Sequence, residues 1–321
     1  MQSRYEMMVD SRIALLFPGQ GCQFVGMGQE LYKESSKARV LFEQADEILG
    51  FALSEICFLG PEDVLGDTAN TQPAIYLVTM ALWQLLEPRL EPIRDRIACV
   101  AGHSLGEYSA LTAAGALSFE DGLRLVRQRG EAMRDAGSEA PGGMGVIIGL
   151  DDETVYGIVE STGSGVWVAN LNSPGQVVIA GENEPLQRAL ALAKEHKARR
   201  ALPLAVSVAC HTPLMAAAAE RLGVALENTP FSEPWAPVVS NVSAEPLSEP
   251  DQIQAALIEQ LSSPVRWVES VRTMVQNGVT RGIEVGPKVV VSGLIKRIDR
   301  SLKMQGVVDY SAVEVFDAEG L

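Results

Sequence analysis

Gly102-His103-Ser104-Leu105-Gly106 fits the pattern G-x-S-x-G, set between an apolar run at 96–101 and an Ala/Leu-rich helical stretch. In a strand-to-helix setting, this pattern lifts a serine hydroxyl above a sheet edge on a sharp turn. Ser104 is therefore a candidate nucleophile. The N–H of Leu105, at the start of the helix, is a candidate oxyanion donor. A tight turn with an incidental serine is the bland alternative. A serine nucleophile needs a base, and the chain has only 3 histidines. His103 adjoins the serine, where neighbours on a sharp turn point apart, and reads equally well as a packed residue. His196 lies in the charged run Lys194-Glu195-His196-Lys197 and reads as solvated. His211 follows an apolar run at 205–210 and precedes Thr212-Pro213, a strand-end loop where a base is expected. Elimination selects His211, with a satisfied core histidine as the alternative.

Arg129 adds a charge where none is expected. Phe119, Leu123, Val126 and Met133 share one face at helical spacing, and Arg129 falls with them. The opposite face carries Glu120, Arg124, Arg127, Glu131 and Arg134. A buried guanidinium requires a partner. That partner is either a carboxylate of the protein or an anionic substrate held in a bidentate clamp. Phe17-Pro18-Gly19-Gln20-Gly21 brings glycines to the end of an apolar strand, so the N–H of Gln20 could join Leu105 in an oxyanion hole; an ordinary turn is the alternative. Neither Gly-rich segment ends in Lys-Ser/Thr as a P-loop would, and the Rossmann fingerprint is missing. The pairs Asp151-Asp152 and Glu182/Glu184 read as helix-start charges.

These residues need a folded frame, and the composition supplies one. The chain has 321 residues, is 47% hydrophobic and 21% charged, and so can bury a large core. With 26 Lys+Arg against 41 Asp+Glu, its net charge of −15 disfavours nucleic acid. No apolar run reaches membrane-spanning length, and no apolar signal core follows the first residues. Cys22, Cys57, Cys99 and Cys210 are scattered, without a CxxC pair, so neither a disulfide framework nor a metal site is expected and a reducing cytoplasm fits.

Strands are expected at 12–17 and 96–101. Helices are expected from about 29 to 86, with a start at Thr71-Gln72-Pro73, and at 119–134. After a turn-rich hinge at 137–143, strands at 144–150, 166–170, 176–180 and 201–206 interleave with helices at 152–161 and 184–196. This β-α-β-β-α-β order has the ferredoxin-like pattern. It predicts an α/β protein with a small domain at 138–206 inserted into a large one, 1–137 and 207–321. The tail from Glu314 is expected to be mobile.

The sequence resembles the malonyl-CoA:acyl-carrier-protein transacylase family of bacterial fatty acid synthesis, which is related to polyketide synthase acyltransferase domains. The resemblance runs from about Ile13 to Leu302. It is carried by LFPGQG (16–21), TQPA (71–74), GHSLGEYSAL (102–111), RGEAM (129–133), NSPGQVVIAG (172–181), VSVACH (206–211) and EVGP (284–287).

The resemblance implies an α/β-hydrolase-like large domain, Ser104 as nucleophile and His211 as base. It implies oxyanion donation from the Gln20 and Leu105 backbones and malonyl carboxylate binding by Arg129, with Gln72 and Asn172 lining the site. In place of a triad acid it implies a backbone carbonyl near 284–287 orienting the histidine. The substrates implied are malonyl-CoA and the phosphopantetheine thiol of acyl carrier protein. A cytoplasmic enzyme without bound cofactor or metal is expected, with a monomer as the default. Where the family usually reads EVGPGK, this chain has Lys288 in place of the second glycine. Leu105 resembles malonyl-specific members; methylmalonyl-specific relatives tend to have Gln there. Arg199-Arg200 and Lys296, Arg297, Arg300 and Lys303 are candidates for docking an acidic carrier, or else solvated helix faces. A free-standing polyketide acyltransferase, a thioester hydrolase using the same Ser104 and His211, and a catalytically idle carrier-binding module are the competing readings.

Overall fold

The computed structural model describes residues 11–206 and 208–321. The segment 1–10, used above to argue against a leader, and Ser207, the expected return point to the large domain, lie outside the described residues.

Strand β1 (Arg12–Phe17) is followed by α1 (Gln29–Glu34), α2 (Ser36–Leu49), α3 (Leu53–Leu59), α4 (Glu62–Gly66) and the long α5 (Thr68–Leu90). Next come β2 (Ile97–Gly102), α6 (Gly106–Ala113) and α7 (Phe119–Glu139). A second set of elements follows: β3 (Gly142–Ile148), α8 (Asp152–Thr162), β4 (Val166–Ser173), β5 (Gln176–Glu182), α9 (Asn183–Glu195) and β6 (Arg200–Pro203). The chain ends with α10 (Ala216–Glu227), β7 (Val238–Val239), β8 (Pro246–Leu247), α11 (Pro250–Gln260), α12 (Trp267–Gln276), β9 (Val279–Val285), α13 (Val291–Ile298), β10 (Lys303–Val307) and α14 (Tyr310–Glu314).

The strands form two sheets. The larger has the order β10-β9-β1-β2-β7-β8, parallel throughout except for β8. β1 reads RIALLF and is buried from its second residue, as a central parallel strand covered on both faces must be. The smaller sheet is antiparallel, in the order β4-β5-β3-β6. Its Ile147, Val177 and Ile179 face a core shared with Leu186, Ala189 and Leu190 of α9. By the alternation of strand side chains, Met144 and Val178 face the other way, toward the large sheet.

Several local expectations need correction. α5 begins at Thr68, capped by Asp67, and runs through Pro73. Pro73 has no N–H to give the Ala69 carbonyl, and Arg127 Nη1 donates to that carbonyl instead at 2.9 Å. α7 continues to Glu139 and β3 starts at Gly142, so most of the expected hinge is regular structure. β6 stops at Pro203; the Leu204 N–H still donates to the Met144 carbonyl of β3 at 2.9 Å, and residues 205–206 lie outside the strand. The tail is docked: Phe316, Ala318 and Leu321 are buried, Glu314 pairs with Arg89, and the Leu321 carbonyl accepts from Arg96 at 2.8 Å.

Candidate active site

The site forms where β1, β2 and β7 end, on the carboxyl edge of a parallel sheet. β2 turns into α6 through His103-Ser104-Leu105, with Ser104 in the left-handed region at φ 53°. The turn is so tight that a Cβ on Gly102 would lie 1.9 Å from the Gly106 carbonyl. The Phe17–Gly21 loop presses on this elbow, since a Cβ on Gly19 would sit 2.3 Å from the His103 oxygen and 3.6 Å from the Leu105 nitrogen. Gln20 and Leu105 therefore adjoin, and neither backbone N–H is donated to an acceptor among the described residues. Asn241, just past β7, ties the elbow down. Its Oδ1 accepts from the Ser104 N–H at 2.6 Å and its Nδ2 donates to the Gly102 carbonyl at 2.7 Å.

His211 reaches the serine from the far side, with its Nε2 2.8 Å from Ser104 Oγ. Its other ring nitrogen, Nδ1, lies 2.8 Å from the Gln260 carbonyl. A carbonyl only accepts, so it fixes the proton on Nδ1 and leaves the Nε2 lone pair facing the serine. Burial, with the nearby Arg129 charge adding to it, pushes the His211 pKa down to about 3. The orienting carbonyl is thus not in the stretch 284–287. That stretch is the end of β9 and the two residues after it, on the other side of β1. A Cβ on Gly286 would lie 2.5 Å from Pro18, so it backs the Gln20 loop. Glu284 is buried and accepts from the N–H groups of Val290, Val291 and Ser292, capping α13, while Lys288 points to solvent.

Arg129 is fully buried, at 0% exposure. Its Nη1 donates to Gln72 Oε1 at 2.6 Å, and its Nη2 to Gln260 Oε1 at 3.0 Å and Ser104 Oγ at 3.1 Å. Its guanidinium lies 5.7 Å from the centroid of the Tyr108 ring. Among the described residues it forms no ion pair, and its Nε has no partner. The protein carboxylate that could have neutralised it is absent from its contacts. What it has are neutral acceptors that aim the fork and leave its charge available to an anion.

His103 turns away from the serine, packs edge-on against Trp267 and bonds Asn172 Oδ1 at 2.7 Å. Asn172, with Asn170, Val178 and Met144, gives the smaller sheet's side of a cleft of about 180 Å³ that opens onto Ser104, His211 and Gln20. A larger cavity of about 760 Å³ shares Gln20, Leu204 and Val206 with it and runs out past Thr68 and Arg134. His196 is exposed, away from the site. Among the described residues no cluster of His, Cys, Asp or Glu is arranged to hold a metal ion. No helix there is long and apolar enough to cross a membrane. All 4 cysteines are buried and free.

Residues not singled out from sequence complete the cluster. Glu107 stands inside the GHSLGEYSAL segment, where its position one helical turn after Ser104 was a usable signal. Asn241 follows the apolar run Val238-Val239, again a strand end. Gln260, the last residue of α11, carries no local signal.

A serine made acylable by a neutral, oriented imidazole, beside two free backbone donors and a buried guanidinium, defines a site for acyl transfer through a serine ester. The sequence from 14 to 314 matches the acyl transferase domain family. The chain belongs to that family.

It is 45% identical over 309 residues to a malonyl CoA-acyl carrier protein transacylase of Bacillus subtilis, covering 95% of this chain and 96% of the relative. The structure superposes with a TM-score of 0.91 on the acyl-carrier-protein-S-malonyltransferase of Bartonella henselae, at 40% identity over 94% of this chain and 97% of that one. It superposes equally well, at 0.91 and 41% identity over 97% and 99% of the two chains, on a malonyl-transacylase in complex with a type II polyketide acyl-carrier protein.

Proposed function

We propose that this chain moves the malonyl group of malonyl-CoA to the phosphopantetheine thiol of acyl carrier protein, through a malonyl ester on Ser104. The observation that carries the reading is the buried guanidinium of Arg129, in contact with Ser104 Oγ and without a carboxylate partner among the described residues. An acyl group that brings its own carboxylate meets that charge as its ester forms; an acetyl group does not. Relatives named for malonyl transfer, one of them bound to an acyl-carrier protein, support the same choice.

His211 Nε2 takes the Ser104 proton as Oγ attacks the thioester carbonyl. The N–H groups of Gln20 and Leu105 hold the oxyanion, and coenzyme A leaves as its thiol after protonation by the imidazolium. The carrier thiol then attacks the ester, with His211 again as base. Arg129 takes the malonyl carboxylate. Because its charge opposes protonation of His211, a bound carboxylate also relieves the base as it accepts the proton. Gln72 and Asn172 support from behind the fork and across the cleft. The cavity past Thr68 and Arg134 gives a pantetheine arm its way in.

We read residues 138–206, around the smaller sheet, as a ferredoxin-like domain inserted into an α/β-hydrolase-like domain of 1–137 and 207–321. Carrier docking is assigned to one end of the smaller sheet. There Gln176 pairs with Ile148 and Ile148 with Arg200, while Arg297 donates to Gln176 Oε1, so both basic clusters flank one edge. The protein is read as a cytoplasmic monomer without cofactor. The carrier is read as that of fatty acid chain elongation, which relatives named malonyl CoA-acyl carrier protein transacylase support; a free-standing polyketide acyltransferase is the alternative, favoured by the likeness to a transacylase bound to a type II polyketide carrier.

The test is transfer of labelled malonyl from coenzyme A to holo acyl carrier protein. Label appearing on the carrier supports the reading. Label released as free malonate at the same rate with or without carrier would identify a hydrolase instead.

A further inference from the structure

Gln260 lies at the centre of the polar cluster under Ser104, and its carboxamide has a direction. The Oε1 end accepts from Arg129 Nη2 at 3.0 Å. The Nε2 end donates to the Ser104 carbonyl at 3.1 Å and to Glu107 Oε2 at 2.6 Å. A carboxamide has acceptor capacity at one end and donors at the other, whereas a guanidinium has donors only. Turned over, Gln260 would set N–H groups against Arg129 and an oxygen against a carboxylate and a carbonyl. Gln260 and Glu107 are both buried, at 1% and 3% exposure, so mismatched ends would stay mismatched. Of the groups that hold the Nε2 end, Glu107 is the closer and the one able to carry charge; burial pushes its pKa up to about 7, so it is the carboxylate above that pH. It makes no hydrogen bond to Ser104 Oγ, His211 or Arg129, and among the described residues its other oxygen accepts only a long 3.4 Å contact from the Asn241 N–H. Its path to Arg129 runs through Gln260.

We propose that Glu107 is a positioning residue whose carboxylate fixes the Gln260 carboxamide with its oxygen toward Arg129, and so holds the guanidinium aligned for the carboxylate of the acyl group. This rests on the reading of Arg129 as the carboxylate clamp. The main chain of Gln260 also accepts from His211 Nδ1, so the residue that Glu107 orients joins the clamp to the base. α6 sets the spacing: the turn that exposes Ser104 places Glu107 beneath it, facing the end of α11.

Glu107→Gln keeps the shape but offers Gln260 either a donor or an acceptor, which frees the carboxamide to turn. Acylation of Ser104 by malonyl-CoA and by acetyl-CoA is followed by intact mass on the full chain at about pH 8, where Glu107 is ionised, with Tm measured on the same samples. The expected result is a fall of about tenfold or more in kcat/KM for malonyl-CoA, with acetyl-CoA within about threefold and Tm little changed. Gln260→Met removes the carboxamide and should lower the malonyl-to-acetyl ratio similarly. Adding Glu107→Gln to Gln260→Met should lower it no further. A ratio within about twofold of the unaltered protein in either variant, or an additive loss in the double variant, overturns the proposal. Should Glu107→Gln not fold, Gln260→Met decides by the same ratio. If the unaltered protein itself forms no malonyl adduct, the clamp reading fails and this proposal falls with it; if the adduct forms and the variants keep the ratio, only the proposal fails.

Discussion

Replacing Arg129 by Met tests the clamp at the point where the structure gives its size. Met fills most of the volume and removes the charge. A hydrogen bond to a charged group contributes about 1.5–3 kcal/mol, and a guanidinium fork engages a carboxylate through two. Taking the lower figure for each gives ~3 kcal/mol, or roughly a hundredfold at 1.4 kcal/mol per factor of ten. That loss falls on malonyl-CoA alone, because acetyl-CoA presents nothing to the fork. Removing Arg129 also takes a positive neighbour from His211, whose pKa then rises toward its ordinary value. Stability moves both ways: a buried charge disappears, while the Oε1 atoms of Gln72 and Gln260 each lose a donor. The assay is rapid-quench intact mass with each thioester, with Tm measured alongside. A malonyl-to-acetyl ratio within about threefold of the parent, in a folded variant, would refute the clamp.

The other predictions are simpler to state. His211 acts as a base in its neutral form, and its pKa lies far below the ordinary value, so that form persists as pH falls and is lost only near about 3. The kcat/KM for Ser104 acylation by acetyl-CoA, which does not use the clamp, should therefore stay level on the acid side down to about pH 5; an acid limb centred near the ordinary imidazole value of ~6.5 would contradict it. Asn241→Ala leaves the Ser104 N–H and the Gly102 carbonyl without their partner. It should destabilise the fold by about 2–4 kcal/mol and slow acylation by malonyl and acetyl thioesters alike. An unchanged melting temperature and rate would show that the elbow holds itself.

Much of the site was legible because its residues stand at breaks in pattern. Ser104 and Gln20 follow buried strands at glycines, and Arg129 interrupts an apolar helical stripe, a cost that chain chemistry alone makes visible. His211 came by elimination among 3 histidines. The β-α-β-β-α-β order was likewise readable from alternating periods.

What stayed hidden depends on tertiary placement. Gln260 serves with its main chain and its side chain at once, and only the approach of α11 to α6 and α7 gives a terminal glutamine that role. The carbonyl behind His211 is expected near 284–287, but that stretch ends β9, across β1 from the histidine, a matter of strand order that local pattern does not encode. The start of α5 was placed at Thr71-Gln72-Pro73, because a proline signals a first turn; Arg127, distant in sequence, satisfies the Ala69 carbonyl and lets the helix begin earlier. The tail looked mobile by composition, yet Arg89 and Arg96 fasten it.

The most direct measurement is intact mass and peptide mapping after brief mixing with malonyl-CoA, followed by addition of holo acyl carrier protein. The account predicts a malonyl adduct on Ser104, absent in Ser104→Ala, that passes to the carrier when it is added. An adduct on another residue, or one that ignores the carrier and decays to malonate, would contradict it.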